Sequence, residues 1–133
     1  MRSSLETPFA IFTLSTALVH FTGETYYHVT LGQPLPSYIV DLISIGLMLI
    51  GAATSLWHRT WSAAGWLAAA WGFAFCLNYR SFFWRWQELQ AEGAISDGEP
   101  DAVIKILGVT LTVAAVSFMV AMFLAKPTRS GNA

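Results

Sequence analysis

Residues 106–125 read ILGVTLTVAAVSFMVAMFLA, an unbroken run without aspartate, glutamate, lysine or arginine. Coiled as an α-helix, a run of this length extends about 30 Å, the thickness of the hydrocarbon core of a bilayer. It is apolar on every side, so it needs either lipid or complete burial. A chain of 133 residues with three more apolar stretches has little polar structure left to bury it.

Moving toward the N-terminus, residues 60–79 (TWSAAGWLAAAWGFAFCLNY) are equally free of charge, and residues 38–57 are interrupted only by Asp41. Before them, Gln33-Pro34-Leu35-Pro36 reads as a helix breaker. The remaining apolar run, residues 7–23 (TPFAIFTLSTALVHFTG), opens on Thr7 as a capping residue and Pro8 at a first helical position. Arg2 ahead of this run has the general look of a signal peptide. No convincing small-x-small cleavage site follows the run, however, and the segment is expected to be a mature helix. The sequence therefore predicts an all-α, polytopic membrane protein. Residues 1–133 are expected to form a single four-transmembrane-helix bundle with spans near 8–28, 38–57, 60–82 and 102–125.

Composition agrees. Charged residues make up 11% of the chain and hydrophobic ones 55%, with a mean hydropathy of +0.52. A water-facing globule carries about 25% charged residues. A net charge of −1 and no basic stripe argue against a nucleic-acid partner. The single cysteine, Cys76, leaves no intramolecular disulfide and no CxxC motif. It reads first as a small buried residue.

Cationic residues near span ends mark the cytoplasmic side. Arg2, Arg59, Lys126 and Arg129 fall on one side of a four-span topology. The stretch Gly23–Ser37 has no Lys or Arg, and neither does the acidic QELQAEGAISDGEPD, residues 87–101. Arg80, Arg85 and Lys105 flank that loop and weaken the bias. Both termini are expected in the cytoplasm, of a cell bounded by a plasma membrane or a bacterial inner membrane. Aromatic residues agree with these depths, Trp57 and Trp61 at the inner turn and Tyr26, Tyr27, Tyr38, Trp84 and Trp86 at the outer interface. Small residues recur at four-residue spacing, as in Ala64, Ala68 and Gly72 and in Gly51 and Ser55. This spacing allows close helix contact.

Ionisable groups at membrane depth are costly, and they carry the functional expectation. His20, Glu24 and His28 are spaced by four and four, which places them along one stripe of a helix running unbroken through Gly23. Asp41 enters near the start of the second span. Cys76, Asn78, Tyr79, Arg80 and Arg85 lie at the end of the third, with Lys105 and Asp101 at the start of the fourth. Polar residues of all four helices thus converge on the outer leaflet.

Three readings compete for this convergence. The first is an intramembrane divalent metal site drawn from His20, Glu24, His28 and Asp41. His20 and His28 are separated by about 12 Å of helical rise, so one ion cannot easily take both. The spacing is also not HExxH. The second is a pocket for a small ligand, with a lipid-soluble one among the candidates. It would be lined by His20, Glu24, His28, Asp41, Asn78, Tyr79 and Arg80, and Glu24 or His20 would move a proton in catalysis or transport. No nucleophile, phosphate loop or cofactor motif narrows the reaction. The third is structural, Glu24 and Asp41 neutralising Arg80 and Arg85. His58 reads as an interfacial histidine, and Met119 and Met122 as core or lipid-facing residues of the opposite leaflet. The function expected first is ligand binding in the outer-leaflet pocket. The competing class is a non-catalytic accessory subunit, self-associated or docked on a larger membrane complex.

Overall fold

A computed structural model of the chain describes residues 2–57, 61–92 and 100–125. They form four α-helices, α1 (Arg2–Leu31), α2 (Leu35–Trp57), α3 (Trp61–Glu92) and α4 (Pro100–Ala125). Two of them, α2 and the Val103–Ala125 part of α4, are long and apolar enough to cross a membrane. The other two are longer, about 45 and 48 Å at helical rise, but more dilute. Threonines, His20 and Glu24 break up the apolar character of α1, and the second half of α3 carries Arg80, Arg85 and Glu88.

The helix bounds depart from the sequence expectation in three instructive places. First, α1 starts well before Pro8, which lies inside it and supplies no N–H to the ladder. Second, α2 starts at Leu35, so Pro36 sits within its first turn. There a missing N–H costs nothing, because first-turn N–H groups lack helical partners anyway. The Pro34 carbonyl accepts from Ser37 N at 3.0 Å and from Tyr38 N at 3.2 Å, closing that turn. Third, α3 continues ten residues past 82, through Gln87, Glu88, Leu89, Gln90 and Ala91. These are good helix formers with no glycine or proline among them.

Only Gly32, Gln33 and Pro34 separate α1 from α2. Gly32 has φ of 72°, the left-handed conformation that ends a helix and that glycine adopts without a Cβ penalty. So short a connection makes α1 and α2 antiparallel neighbours. Each helix packs chiefly on its neighbours in sequence. At the α2–α3 crossing, a Cβ on Gly51 would lie 3.2 Å from the Leu67 backbone. Between α3 and α4, Gly72 lies against Phe118 and Gly108 against Phe82, an antiparallel register.

The core is built from small side chains. Ala17, Ala52, Ala64, Ala68, Ala70, Ala74, Ala114 and Ala121 are buried, with Ile45, Met48, Leu67 and Trp71 as the larger fillers. Trp71 stacks on Phe12, centroids 5.7 Å apart, and its Nε1 donates to Thr13 Oγ1 at 2.9 Å. Large apolar residues lie outside. Leu18, Val19, Ile39, Ile43, Ile50, Val109, Val116, Met119, Met122 and Phe123 are all exposed. Water-soluble monomers rarely leave apolar surface of that extent bare.

Candidate functional site at the turn between the first two helices

α1 runs without a break through Gly23, so His20 and Glu24 stand one turn apart on the face that packs on α2. His20 Nε2 lies 3.5 Å from Glu24 Oε1, and both side chains are about three-quarters buried. Asp41 arrives from the second turn of α2. One ligand atom from each of His20, Glu24 and Asp41 lies within 4.8 Å of the others. All three residues are half-buried.

A fourth side chain, absent from the sequence expectation, completes the cluster. Gln33 folds back from the turn, and its Nε2 donates to Asp41 Oδ2 at 2.8 Å and to Glu24 Oε2 at 3.4 Å. Its position follows from the turn itself, because with three residues between helices the one polar side chain there stays beside the helix ends it joins. The available signal was a glutamine isolated between Gly32 and Pro34. Two buried polar atoms of this cluster have no hydrogen-bond partner, His20 Nε2 and Gln33 Oε1.

His28 belongs to the same face but does another job. Its Nδ1 lies 2.8 Å from the Gln33 carbonyl oxygen. A carbonyl only accepts, so Nδ1 carries the proton and donates. The ring also stacks on Tyr38, centroids 4.3 Å apart and nearly parallel. Tyr38 and Thr25 hydroxyls are hydrogen-bonded at 2.9 Å. His28 therefore clamps the turn that carries Gln33, and it stands apart from the His20, Glu24 and Asp41 cluster.

The α3 residues are arranged otherwise. From the Gly51–Leu67 crossing, ten residues back along α2 and ten on along α3 reach Asp41 and Leu77, so Asn78 lies close to the level of the cluster. Yet Asn78 Nδ2 donates to the carbonyl of Ala74 in its own helix at 2.8 Å. Tyr79 is exposed and packs between Phe75 and Phe83, and Arg80 is exposed. None of the interactions seen among the described residues joins these three to the α1–α2 cluster.

The structural reading of Glu24 and Asp41 as partners of Arg80 and Arg85 is overturned. Arg85 pairs with Glu88 of its own helix at 3.3 Å. Among the described residues, no lysine or arginine pairs with Glu24 or Asp41. Cys76 is exposed rather than buried. His58 and Asp101 lie outside the residues or side chains described. A shallow groove of about 410 Å³ along α4, lined by Lys105, Gly108, Val109, Thr112 and Val113, shares no residue with the cluster. It is lined by one helix and lacks the convergent polar groups of a ligand site.

Fold and site together define a small helical protein with two helices of membrane-crossing character and a histidine–dicarboxylate cluster. No family model, curated protein or solved structure matches the chain.

Proposed function

We propose that this is a four-span integral membrane protein, both termini cytoplasmic, that binds a small cation at His20, Glu24 and Asp41 in the outer half of the bilayer. Several features support the membrane reading. α3 packs against both membrane-grade helices, and α1 is tied to α2 by a three-residue turn, which supports a reading in which all four cross together. The apolar outer face meets lipid on this reading, and the alanine-rich core lets helix backbones approach closely. By sequence position, Arg2 together with Arg59, Lys126 and Arg129, which lie outside the described residues, is assigned to the cytoplasmic side.

One observation carries the functional reading. Two carboxylates from different helices meet beside an imidazole, with no lysine or arginine partner among the described residues. Negative charge held this close at low dielectric requires a compensating proton or cation. The Gln33 amide gives only a neutral donor. A bound cation satisfies both carboxylates and the unpartnered His20 Nε2 at once.

The test is purification in mild detergent, elemental analysis of what accompanies the chain, and calorimetric titration with mono- and divalent cations. Wild-type protein is expected to bind a cation stoichiometrically, and Glu24→Gln and Asp41→Asn to lose it while keeping their helix content by circular dichroism. Unchanged binding in both variants would remove the cluster from the function.

A further inference from the structure

The donor set and its geometry point to a divalent first-row transition ion of the zinc type as the occupant of this centre, with the Gln33 side-chain oxygen as its fourth ligand. This rests on the cation-site reading above and narrows it. The known donors are one imidazole nitrogen and two carboxylate oxygens. Calcium takes six to eight oxygens and magnesium an octahedron of oxygens and waters, whereas imidazole suits zinc, copper, iron or nickel, and cupric ion prefers a square-planar or tetragonal arrangement over a tetrahedral one. Cuprous ion prefers thiolate and thioether sulfur, and the cluster contains neither.

Distances agree with this choice. Two ligands on a tetrahedral ion with bonds of about 2.0–2.2 Å sit roughly 3.3–3.5 Å apart. His20 Nε2 and Glu24 Oε1 are separated by 3.5 Å, so this pair already has the length of a tetrahedral edge. The cluster as a whole spreads to 4.8 Å at most. Closing a 4.8 Å separation to the tetrahedral edge takes side-chain shifts of roughly 1.3–1.5 Å in all.

Gln33 decides how that closure happens. Its Nε2 holds Asp41 at 2.8 Å and reaches Glu24 at 3.4 Å, standing between the carboxylates where a cation is attracted most. Its Oε1 is buried without a partner. Turning the carboxamide through half a turn exchanges two atoms of nearly equal size. The N–H donor withdraws from the carboxylates, and the oxygen faces the ion. His28 fixes the Gln33 backbone through the carbonyl during this motion, so only the side chain needs to move.

The experiment uses untagged full-length protein in mild detergent, stripped with chelator and titrated separately with Zn²⁺, Co²⁺, Ca²⁺ and Mg²⁺. Co²⁺ absorption reports coordination. One Zn²⁺ or Co²⁺ per chain is expected, bound at least about tenfold more tightly than Ca²⁺ or Mg²⁺, with intense visible bands of four-coordinate Co²⁺. His20→Asn should weaken Zn²⁺ by more than the roughly 10–100-fold typical of a residue that merely supports a ligand, and His28→Ala should fall within that range. Gln33→Ala should shift the Co²⁺ bands, whereas Gln33→Glu, which keeps an oxygen donor, should preserve them. His58→Ala serves as the control for adventitious histidine binding and should change nothing. Equal affinity for Ca²⁺ and Zn²⁺ with no effect of His20→Asn would overturn the transition-ion assignment and leave the cation site standing. Absence of binding by every ion would remove both. A Co²⁺ spectrum unchanged in Gln33→Ala would remove Gln33 as a ligand.

Discussion

Trp71 brings an indole N–H into the centre of the bundle and gives it to Thr13 at 2.9 Å, while the Thr13 hydroxyl donates in turn to the Phe9 carbonyl at 2.9 Å. Both side chains are fully buried, so Thr13→Val leaves a buried donor without an acceptor at nearly constant volume. The expected loss is about 1 kcal/mol, between the average for interhelical hydrogen bonds in membrane proteins and the larger penalty of an orphaned donor. Thr13→Ser should retain most of it. Reversible unfolding in mixed detergent micelles measures the difference, and equal stability of Thr13→Val and wild type would show that the bond contributes nothing. The sequence offered no sign of this pair, because fifty-eight residues separate its members and threonine on an apolar helix face has many uses. Gln33 was hidden for a related reason. Next to Pro34 it reads as part of a breaker, and its role appears only when the turn folds it back on two carboxylates.

Among the elements, α1 shows most directly how local spacing becomes a site. Because the helix continues through Gly23, the four-residue interval of His20 and Glu24 translates into adjacency, and this much was legible in the spacing. The same interval places His28 one turn beyond Glu24, where it reaches the Gln33 carbonyl instead of the cluster. The small residues at Gly51, Ser55, Ala64, Ala68 and Gly72 signalled close helix contact without naming the partners, and the structure places one such contact between α2 and α3 at Gly51. A methyl group on Gly51 would meet the Leu67 Cα and N and the Trp66 carbonyl carbon, each at 3.2 Å, whereas one on Gly46 would meet nothing within 4 Å. Backbone atoms cannot step aside as a side-chain end can. Gly51→Ala is therefore expected to destabilise the bundle by about 1–3 kcal/mol as the helices separate. Gly46→Ala should be neutral or stabilising by up to about 1 kcal/mol through helix propensity. The same unfolding assay compares them, and the reverse order would show that α2 and α3 do not approach closely at Gly51.

For the whole molecule, the proposed topology makes a prediction that needs no knowledge of the ligand. In a Cys76→Ser background, Ser96→Cys, in the sequence between α3 and α4, should react with a membrane-impermeant maleimide added to intact cells. Ser130→Cys in the C-terminal tail should react only after permeabilisation. The opposite pattern would invert the protein and turn the His20–Glu24–Asp41 centre toward the cytoplasm. Labelling of both from the same side would show that α4 does not cross. The distribution of side-chain size is what makes crossing the natural solution. Alanines fill the interior while valines, isoleucines, leucines and phenylalanines cover the exterior, an arrangement that lipid solvates and water does not.

Composition and the intervals between apolar residues were sufficient for an all-helical chain with four helices in the expected order, because helix formation and span length are local properties of consecutive residues. Their ends were less accessible. Pro8 and Pro36 read as starts or breaks, yet both lie inside helices: Pro36 falls in the first turn of α2, where a missing N–H forfeits nothing, whereas Pro8 is past the first turn of α1 and gives up one ladder bond to the packing of its helix. The composition of the centre required three dimensions. Residues from all four helices share one end of the chain's apolar runs, but rotation about each helix axis decides which of them face one another. Linear spacing cannot specify the relative rotation of two helices. Packing of Gly51 on Leu67, and the left-handed Gly32 in a three-residue turn, set those rotations. They bring Asp41 and Gln33 to His20 and Glu24 and leave Tyr79 and Arg80 on the outer surface.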